Sequence, residues 1–384
     1  MKLKNISRGL NIQSLIHTLQ KKIISLFLFV LLFLFACNGK NKEINAIVDY
    51  FDKEQSLAHK ALDIHDDLNV LIEPQEIVIH NNLMVVAHVR DDKLFSLVNL
   101  NEKKVIKSWG DRGQGPYDFV GFLDMYENYD NSGINIWDPS LKRLNFFSFD
   151  RISNQENPLP QNLFHDLNNP NMLTMLYPNI LQLDKSRYLA LGNSEDKRFT
   201  LLNIESDVMI KTGDFPSSDH NKDLHPIIRN QPYNGKIRFN KRQQKIAYIS
   251  YESEMFEIFQ VADSGLTLVY GNYTTIPKYE LSTKKGGTVT ERIGNGNGRC
   301  IALTTSDEKI FILYQDYPKN ADKKDIDLAL SQEANIILEF DWNGKPIRQY
   351  HLDCMVNLVF YDKDGNKLYA SQSPENKIVY FDIK

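Results

Sequence analysis

One short apolar strand pattern returns six times along the 384-residue chain. Its copies are NLMVVAH (82–88), GINIWDPS (133–140), RYLALGNS (187–194), KIAYISYE (245–252), KIFILYQD (309–316) and KLYASQSP (367–374). Their starts lie 51, 54, 58, 64 and 58 residues apart. A second pattern follows each copy: LFSLVNL (94–100), RLNFFSFD (143–150), FTLLNIES (199–206), MFEIFQVA (255–262), NIILEFDW (335–342) and NKIVYFDI (376–383). Most of these alternate apolar and polar residues, the period of a half-buried strand. A third pattern follows in KKVIKSW (103–109), DVMIKTGDF (207–215), LTLVYGNY (266–273) and PIRQYHLD (346–353). No long stretch beyond the N-terminal segment has a strong helical period, although INAIVDYF (44–51) suits one or two helical turns. Four-stranded units at this spacing read as propeller blades. The expected fold is all-β, a six-bladed β-propeller of four-stranded blades. A two-sheet sandwich would not repeat in register as units of four.

The ends of the repeat predict how the ring closes. The sixth copy stops at its third strand, and LNVLIE (68–73) precedes the first blade with no blade of its own. Residues 67–73 are therefore expected to supply the missing outer strand of the last blade, which would hide an edge open to aggregation. Blade two lacks a clear fourth strand, and its Pro- and Asn-rich residues 151–170 read as a long loop. The KKGGTVTERIGNGNG region predicts an extended loop leading into blade five.

Residues 1–36 stand outside the repeat. Lys2, Lys4, Arg8, Lys21 and Lys22 precede IISLFLFVLLFLFA (23–36), a basic-then-apolar order typical of an export signal and too short for a comfortable membrane span. The run ends in LFAC (34–37), which resembles a bacterial lipobox. That resemblance implies that Cys37 becomes the lipidated first residue of the mature protein. Residues 37–60, beginning with a polar NGKNKE stretch, then read as a tether, and 61–384 as the propeller. Asn38 follows the cysteine, and the stretch is basic, so neither an acidic retention signal nor an acid-rich surface-export signal is present. The expected location is the cell envelope, on the periplasmic face or the outer-membrane surface, with the membrane as partner through the lipid.

Without residues 1–36, 40 basic and 49 acidic side chains remain, a net charge of −9 that argues against nucleic acid as a partner. Cys300 and Cys354 are too few for a disulfide framework and read as small buried residues. No cofactor is expected, and no metal, because no CxxC or Cys/His ligand spacing occurs.

WGDRGQGPYDF (109–119) is the densest glycine cluster in the first half of the chain. A phosphate loop would need Gly-Lys-Ser/Thr, or a complete GxGxxG opening a helix, and neither is present. Gly110, Gly113, Gly115, Pro116 and Phe119 instead read as a turn where blade one hands over to blade two. Arg112, Tyr117 and Asp118 are not needed by such a turn, and they form a candidate binding loop. Behind a lipobox and with six blades, this motif resembles the TolB-like six-bladed propeller lipoproteins of Bacteroidetes. In that family a Gly precedes Gly-x-Gly-Pro-Gly-Glu-Phe. Gly113, Gln114, Gly115, Pro116 and Phe119 match, whereas Tyr117 replaces a Gly and Asp118 a Glu. The closing segments 337–353 and 361–382 also look like that family, so the resemblance spans about residues 62–384. It implies the fold and no particular activity.

Other motifs read as structure. YDKDGNK (361–367) lacks the acids of a calcium loop and reads as a hairpin turn, GNGNGRC (294–300) as a loop between blades, and DHNKDLH (219–225) as solvated loop residues. Trp109, Trp137 and Trp342 read as blade packing. No GxSxG or HExxH is present. Two functions are expected to compete. One is an envelope scaffold that binds a small ligand or a protein without chemistry. The other is an exported hydrolase or lyase acting on a sugar or peptide, favoured if three or more His, Asp or Glu side chains converge on one channel mouth.

Overall fold

The computed structural model describes residues 46–65, 73–88, 92–120, 124–164, 177–192, 196–219, 221–276, 278–284, 287–293, 297–317 and 333–383. Residues 1–36, expected to be an export signal, Cys37 and the start of the expected tether lie outside the described residues, as does most of 67–73.

The chain is a six-bladed β-propeller. Blade one runs Pro74–His80, Leu83–His88, Lys93–Asn99 and Lys104–Asp111; each strand pairs antiparallel with the next. Blade two runs Asp124–Glu127, Gly133–Asp138, Arg143–Ser148 and Gln161–Asn162. Blade three is Asn179–Gln182, Arg187–Leu191, Lys197–Asn203 and Val208–Asp214, and blade four is Gly235–Asn240, Lys245–Ser250, Phe256–Ala262 and Gly265–Asn272. Blade five comprises Gly298–Thr305, Lys309–Asp316 and Ala334–Asp341. Its outer strand is the first half of Pro346–Asp362. The second half of that 17-residue strand is the inner strand of blade six, ahead of Lys367–Gln372 and Lys377–Asp382. The three recurring sequence patterns are thus the second, third and fourth strands of the blades.

The ring is closed by an N-terminal strand, and the described one is Lys60–Ala61; of the expected residues 67–73 only Glu73 is among the described residues. Lys60–Ala61 pairs with Lys377–Asp382, with Lys60 opposite Tyr380 and Ala61 opposite Val379. Leu62 adds a backbone bond to the Ile378 carbonyl at 3.1 Å and is buried against Ile378 and Tyr369. An outermost strand has one edge in solvent and carries few apolar side chains, so a search for apolar alternation passes over it.

The fold also begins earlier than the expected boundary at residue 61. Ile47–Tyr50 forms a single 3₁₀ turn that buries Ile47, with Phe51 packed edge-on to Phe340 at 5.0 Å. Glu54–Leu57 then lies parallel to blade five's outer strand, Glu54 opposite Gln349 and Leu57 opposite Leu352. This strap covers an edge that would otherwise present unpaired backbone groups. The described part of the fold therefore begins at Ala46.

Two further segments differ in detail from expectation. Residues 151–170 begin in a short helix, Phe149–Asn154, capped by the Ser148 hydroxyl accepting from Arg151 N. The loop into blade five contains an antiparallel hairpin, Lys278–Lys284 with Gly287–Ile293. The seams between blades are largely apolar and rich in aromatics, with a buried ion pair, Arg198 with Glu257, between blades three and four. Phe95 meets Phe119 edge-to-face at 5.1 Å, and Trp109 meets Phe147 at 6.3 Å. Such pairs add roughly 0.5–1.5 kcal/mol beyond area burial. All three tryptophans are buried in this way, as their sequence context predicted.

Candidate functional site

The inner strands of the six blades surround a cavity of about 590 Å³ that reaches the turns following those strands. Two of these turns place Asn81 and Asn131 at φ of 54° and 60°, a left-handed conformation that asparagine tolerates better than most residues. A smaller cavity of about 330 Å³ lies at the opposite strand ends, lined by Asp124, Tyr177, Asn179, Asn234 and Tyr251 among others.

Between the two cavities sits a cluster of four charges. On blade four's inner strand, Lys236 and Arg238 are two residues apart and so share a face, while Ile237 and Phe239 take the other. Lys236 Nζ is paired with Glu76 of blade one and lies 4.0 Å from Asp124 of blade two. Arg238 Nη2 is 3.7 Å from Glu76 and 3.4 Å from Asp124. Asn179 of blade three donates to Asp124 at 2.7 Å. Four blades are therefore tied together across the axis by two acids, two bases and an amide. Side-chain exposure runs from 6% at Asp124 to 14% at Arg238, so the cluster is nearly dry. Burial pushes the Glu76 carboxyl up, opposed by Lys236 and Arg238. Burial pushes the Lys236 amine down, and the neighbouring Arg238 charge adds to this.

A second polar layer surrounds the cluster. Asn135 donates to Gln182 at 2.7 Å, Gln182 donates to the Tyr188 hydroxyl at 3.1 Å, and Gln182 N donates to the Tyr126 hydroxyl at 3.1 Å. Nearer the mouth, the His80 ring stacks on Phe149 at 4.0 Å and stands 3.8 Å from Glu127. Burial raises the Glu127 carboxyl, an effect offset by Lys363 and reinforced by Asp364. Lys241 lies 5.6 Å over the Tyr129 ring. The rim thus alternates in sign, with Lys241, Arg242 and Lys363 interleaved among Asp307, Asp362 and Asp364.

This lining bears directly on the two competing functions. His80, Glu127, Asp307, Asp362 and Asp364 do gather at one mouth. Among the described residues, though, no three His, Cys, Asp or Glu ligand atoms come within 4.8 Å of one another there. A Ser–His hydrogen bond exists in blade one, His88 Nε2 to Ser96 Oγ at 3.0 Å, but both side chains are buried and the next partner of Ser96 is Ser108, at 2.9 Å. A nucleophile needs substrate access as well as a base, and Ser96 has none.

The glycine-dense loop lies away from this mouth. It joins blade one's outer strand to the start of blade two's inner strand, and Arg112, Tyr117 and Asp118 line neither cavity. Gly110 has a φ of +81°, and a Cβ there would stand 2.4 Å from the Phe95 ring. Gly113 and Gly115 serve a different need, since a Cβ on either would stand 2.3 or 2.7 Å from the Asp118 carboxylate. That carboxylate accepts from Gly115 N at 2.9 Å, so Asp118 staples the loop. Arg143 donates to the Gly115 carbonyl at 2.7 Å and holds the turn from blade two. Arg112 and Tyr117 stand exposed on this face. Cys300 is buried and Cys354 half-buried, and both thiols are free. Asp219 of the DHNKDLH segment accepts from Arg229 at 2.8 Å and from the Tyr233 hydroxyl at 2.7 Å, a structural role.

The axial cluster was not singled out from the sequence. A signal was available: EIVIH and GKIRFN place charges at alternate positions in strands that are otherwise apolar.

Blades, closure and a polar axial channel define the class as a six-bladed propeller. A family model described as "TolB-like 6-blade propeller-like" matches residues 50–364, and the chain belongs to that family. No curated protein sequence matches the chain. Among solved structures, a putative exported protein from Bacteroides fragilis is 10% identical, with a TM-score of 0.51, over 86% of this chain and 98% of that one. A member of the duf4221 family from Bacteroides vulgatus is also 10% identical, with a TM-score of 0.49, over 86% of this chain and 96% of that one.

Proposed function

We propose that the chain is an exported, lipid-anchored scaffold that binds a small ligand or an envelope protein at the channel mouth. The observation that carries this reading is the 590 Å³ cavity, whose floor and rim are built from charges held on rigid inner strands. Pockets of this size, with a few convergent polar groups, are the usual form of a ligand site. The fold neighbour described as a putative exported protein from Bacteroides fragilis and the LFAC motif at Cys37 support location outside the cytoplasm. The hydrolase or lyase reading draws support from the acids and His80 at the same mouth. Their gathering at one mouth meets the condition set for chemistry; binding is put first because, among the described residues, no three of their ligand atoms there lie within 4.8 Å of one another.

The test is co-purification of the full lipidated chain from envelope membranes, with native mass spectrometry for retained small molecules. A specific partner or ligand that disappears in a Lys241→Glu, Arg242→Glu variant supports the mouth as the binding surface. Retention unchanged in that variant places the surface elsewhere. Turnover of a glycan or peptide that Glu127→Gln abolishes would replace binding with catalysis.

A further inference from the structure

Two crossings of the chain meet at one point on the closed ring. Residues 58–59 carry the N-terminal strap from the edge of blade five, at Glu54–Leu57, to the edge of blade six, at Lys60–Ala61. Residues 353–355 carry the long strand Pro346–Asp362 between the same two blades. His59, Asp353 and Cys354 meet there, although 294 positions separate the first two.

We propose that His59, Asp353 and Cys354 form a zinc site that latches the N-terminal strap to the ring. One ligand atom from each side chain lies within 4.8 Å of the other two. His59 Nδ1 and Asp353 Oδ1 are 3.0 Å apart. Tetrahedral zinc, with bonds of about 2.0–2.3 Å, needs its ligand atoms roughly 3.5 Å from one another. The three groups therefore need only side-chain adjustment, and none is locked in a core, since His59 and Cys354 are half-buried and Asp353 is exposed. The carboxylate is already aimed, because Asp353 Oδ1 also accepts from the His59 backbone N at 3.0 Å. Glu375 adds negative charge close to Cys354.

The ligand set selects the metal. Imidazole nitrogen and thiolate sulfur suit zinc, whereas calcium and magnesium take oxygen ligands. On binding, Zn²⁺ takes the position between Nδ1 and Oδ1, the Cys354 thiol gives its proton to solvent, and Nδ1 binds as the neutral imidazole. Water fills the fourth position. The metal then bonds the strap to the blade crossing, and zinc would stabilise the closed ring because the separated strands hold no such site.

The experiment uses the full chain in detergent, stripped with a chelator and titrated with Zn²⁺ alone, with Ca²⁺ as control. The expected result is about one equivalent of Zn²⁺ bound, a rise in Tm with Zn²⁺ and none with Ca²⁺. Cys354→Ser and His59→Gln should each weaken zinc binding by about tenfold or more and remove the zinc-dependent rise. Their metal-free Tm should stay near that of the parent chain. Asp353→Asn should likewise weaken Zn²⁺ binding, and Co²⁺ in place of Zn²⁺ should show thiolate-to-metal absorption that Cys354→Ser abolishes. Absence of stoichiometric Zn²⁺ in the parent chain overturns the proposal, and so does Zn²⁺ binding that survives all three substitutions.

Discussion

Two clusters of buried charge in this propeller have opposite characters. In the seam between blades three and four, Arg198 meets Glu257 in a two-pronged pair at 2.5 and 2.8 Å, with side-chain exposures of 1% and 0%. The remaining groups there are also satisfied. Arg198 Nε donates to the Asp214 carbonyl at 2.9 Å, the Tyr273 hydroxyl donates to Glu257 at 2.7 Å, and the rings of Phe199, Tyr233, Tyr248 and Phe259 surround the guanidinium. In the channel, Glu76, Asp124, Lys236 and Arg238 are paired at looser distances of 3.4 to 4.0 Å apart from the close Lys236–Glu76 contact. Glu76 and Arg238 border one cavity and Asp124 the other. The seam pair is enclosed by protein and can only hold blades together. The axial cluster keeps contact with space that a ligand can enter, so its charges can be redistributed when something binds.

The contrast is broken most directly at the seam. Glu257→Gln leaves Arg198 charged and buried without its partner, which costs roughly 3–5 kcal/mol. That corresponds to a fall in Tm of roughly 10 °C. Thermal unfolding checks this, and a fall of only a degree or two would mean that water or another group reaches Arg198. The axial counterpart, Glu76→Gln, should cost less, about 1–2 kcal/mol, because Asp124 remains near both bases and the cavity admits water. Equal losses from the two variants would erase the distinction drawn between seam and channel.

The smallest expected effect is a pH dependence at the mouth. Burial lowers the His80 pKa beneath 6.5, with Asp364 raising it and Lys363 lowering it. The unfolded chain then binds more protons than the folded one between the lowered value and 6.5, so this contribution to stability falls as pH drops through that window. His80→Gln should flatten part of the decline in Tm between pH 7 and 5. An unchanged slope in the variant assigns the decline to other groups.

Much of the architecture was legible because propeller blades repeat, and each second and third strand buries both faces between neighbours. KIAYISYE and KIFILYQD therefore announce themselves as apolar runs at a regular spacing. The strand Lys60–Ala61 escapes a sequence reading for the converse reason. Lys60–Ala61 is two residues long and exposed, whereas LNVLIE looks like a strand on composition alone. The glycine-dense loop lies between blades one and two, yet its chemistry is only half visible in the sequence. A sequence shows that Asp118 is spare, but not that it folds back onto Gly115 N.

By itself, the amino-acid sequence determined the number of blades, their order and the apolar character of their seams, because those features follow from local alternation repeated at a fixed spacing. Only the tertiary structure decided which charges share the axis, which residues close the ring and what His59 faces. Glu76 and Lys236 are 160 positions apart, and His59 and Asp353 are 294 apart. Contacts at such separations depend on the closure of the ring, which brings strands from different blades to one axis and the Glu54–Ala61 segment to the edge of the last strands, and no local pattern encodes that meeting.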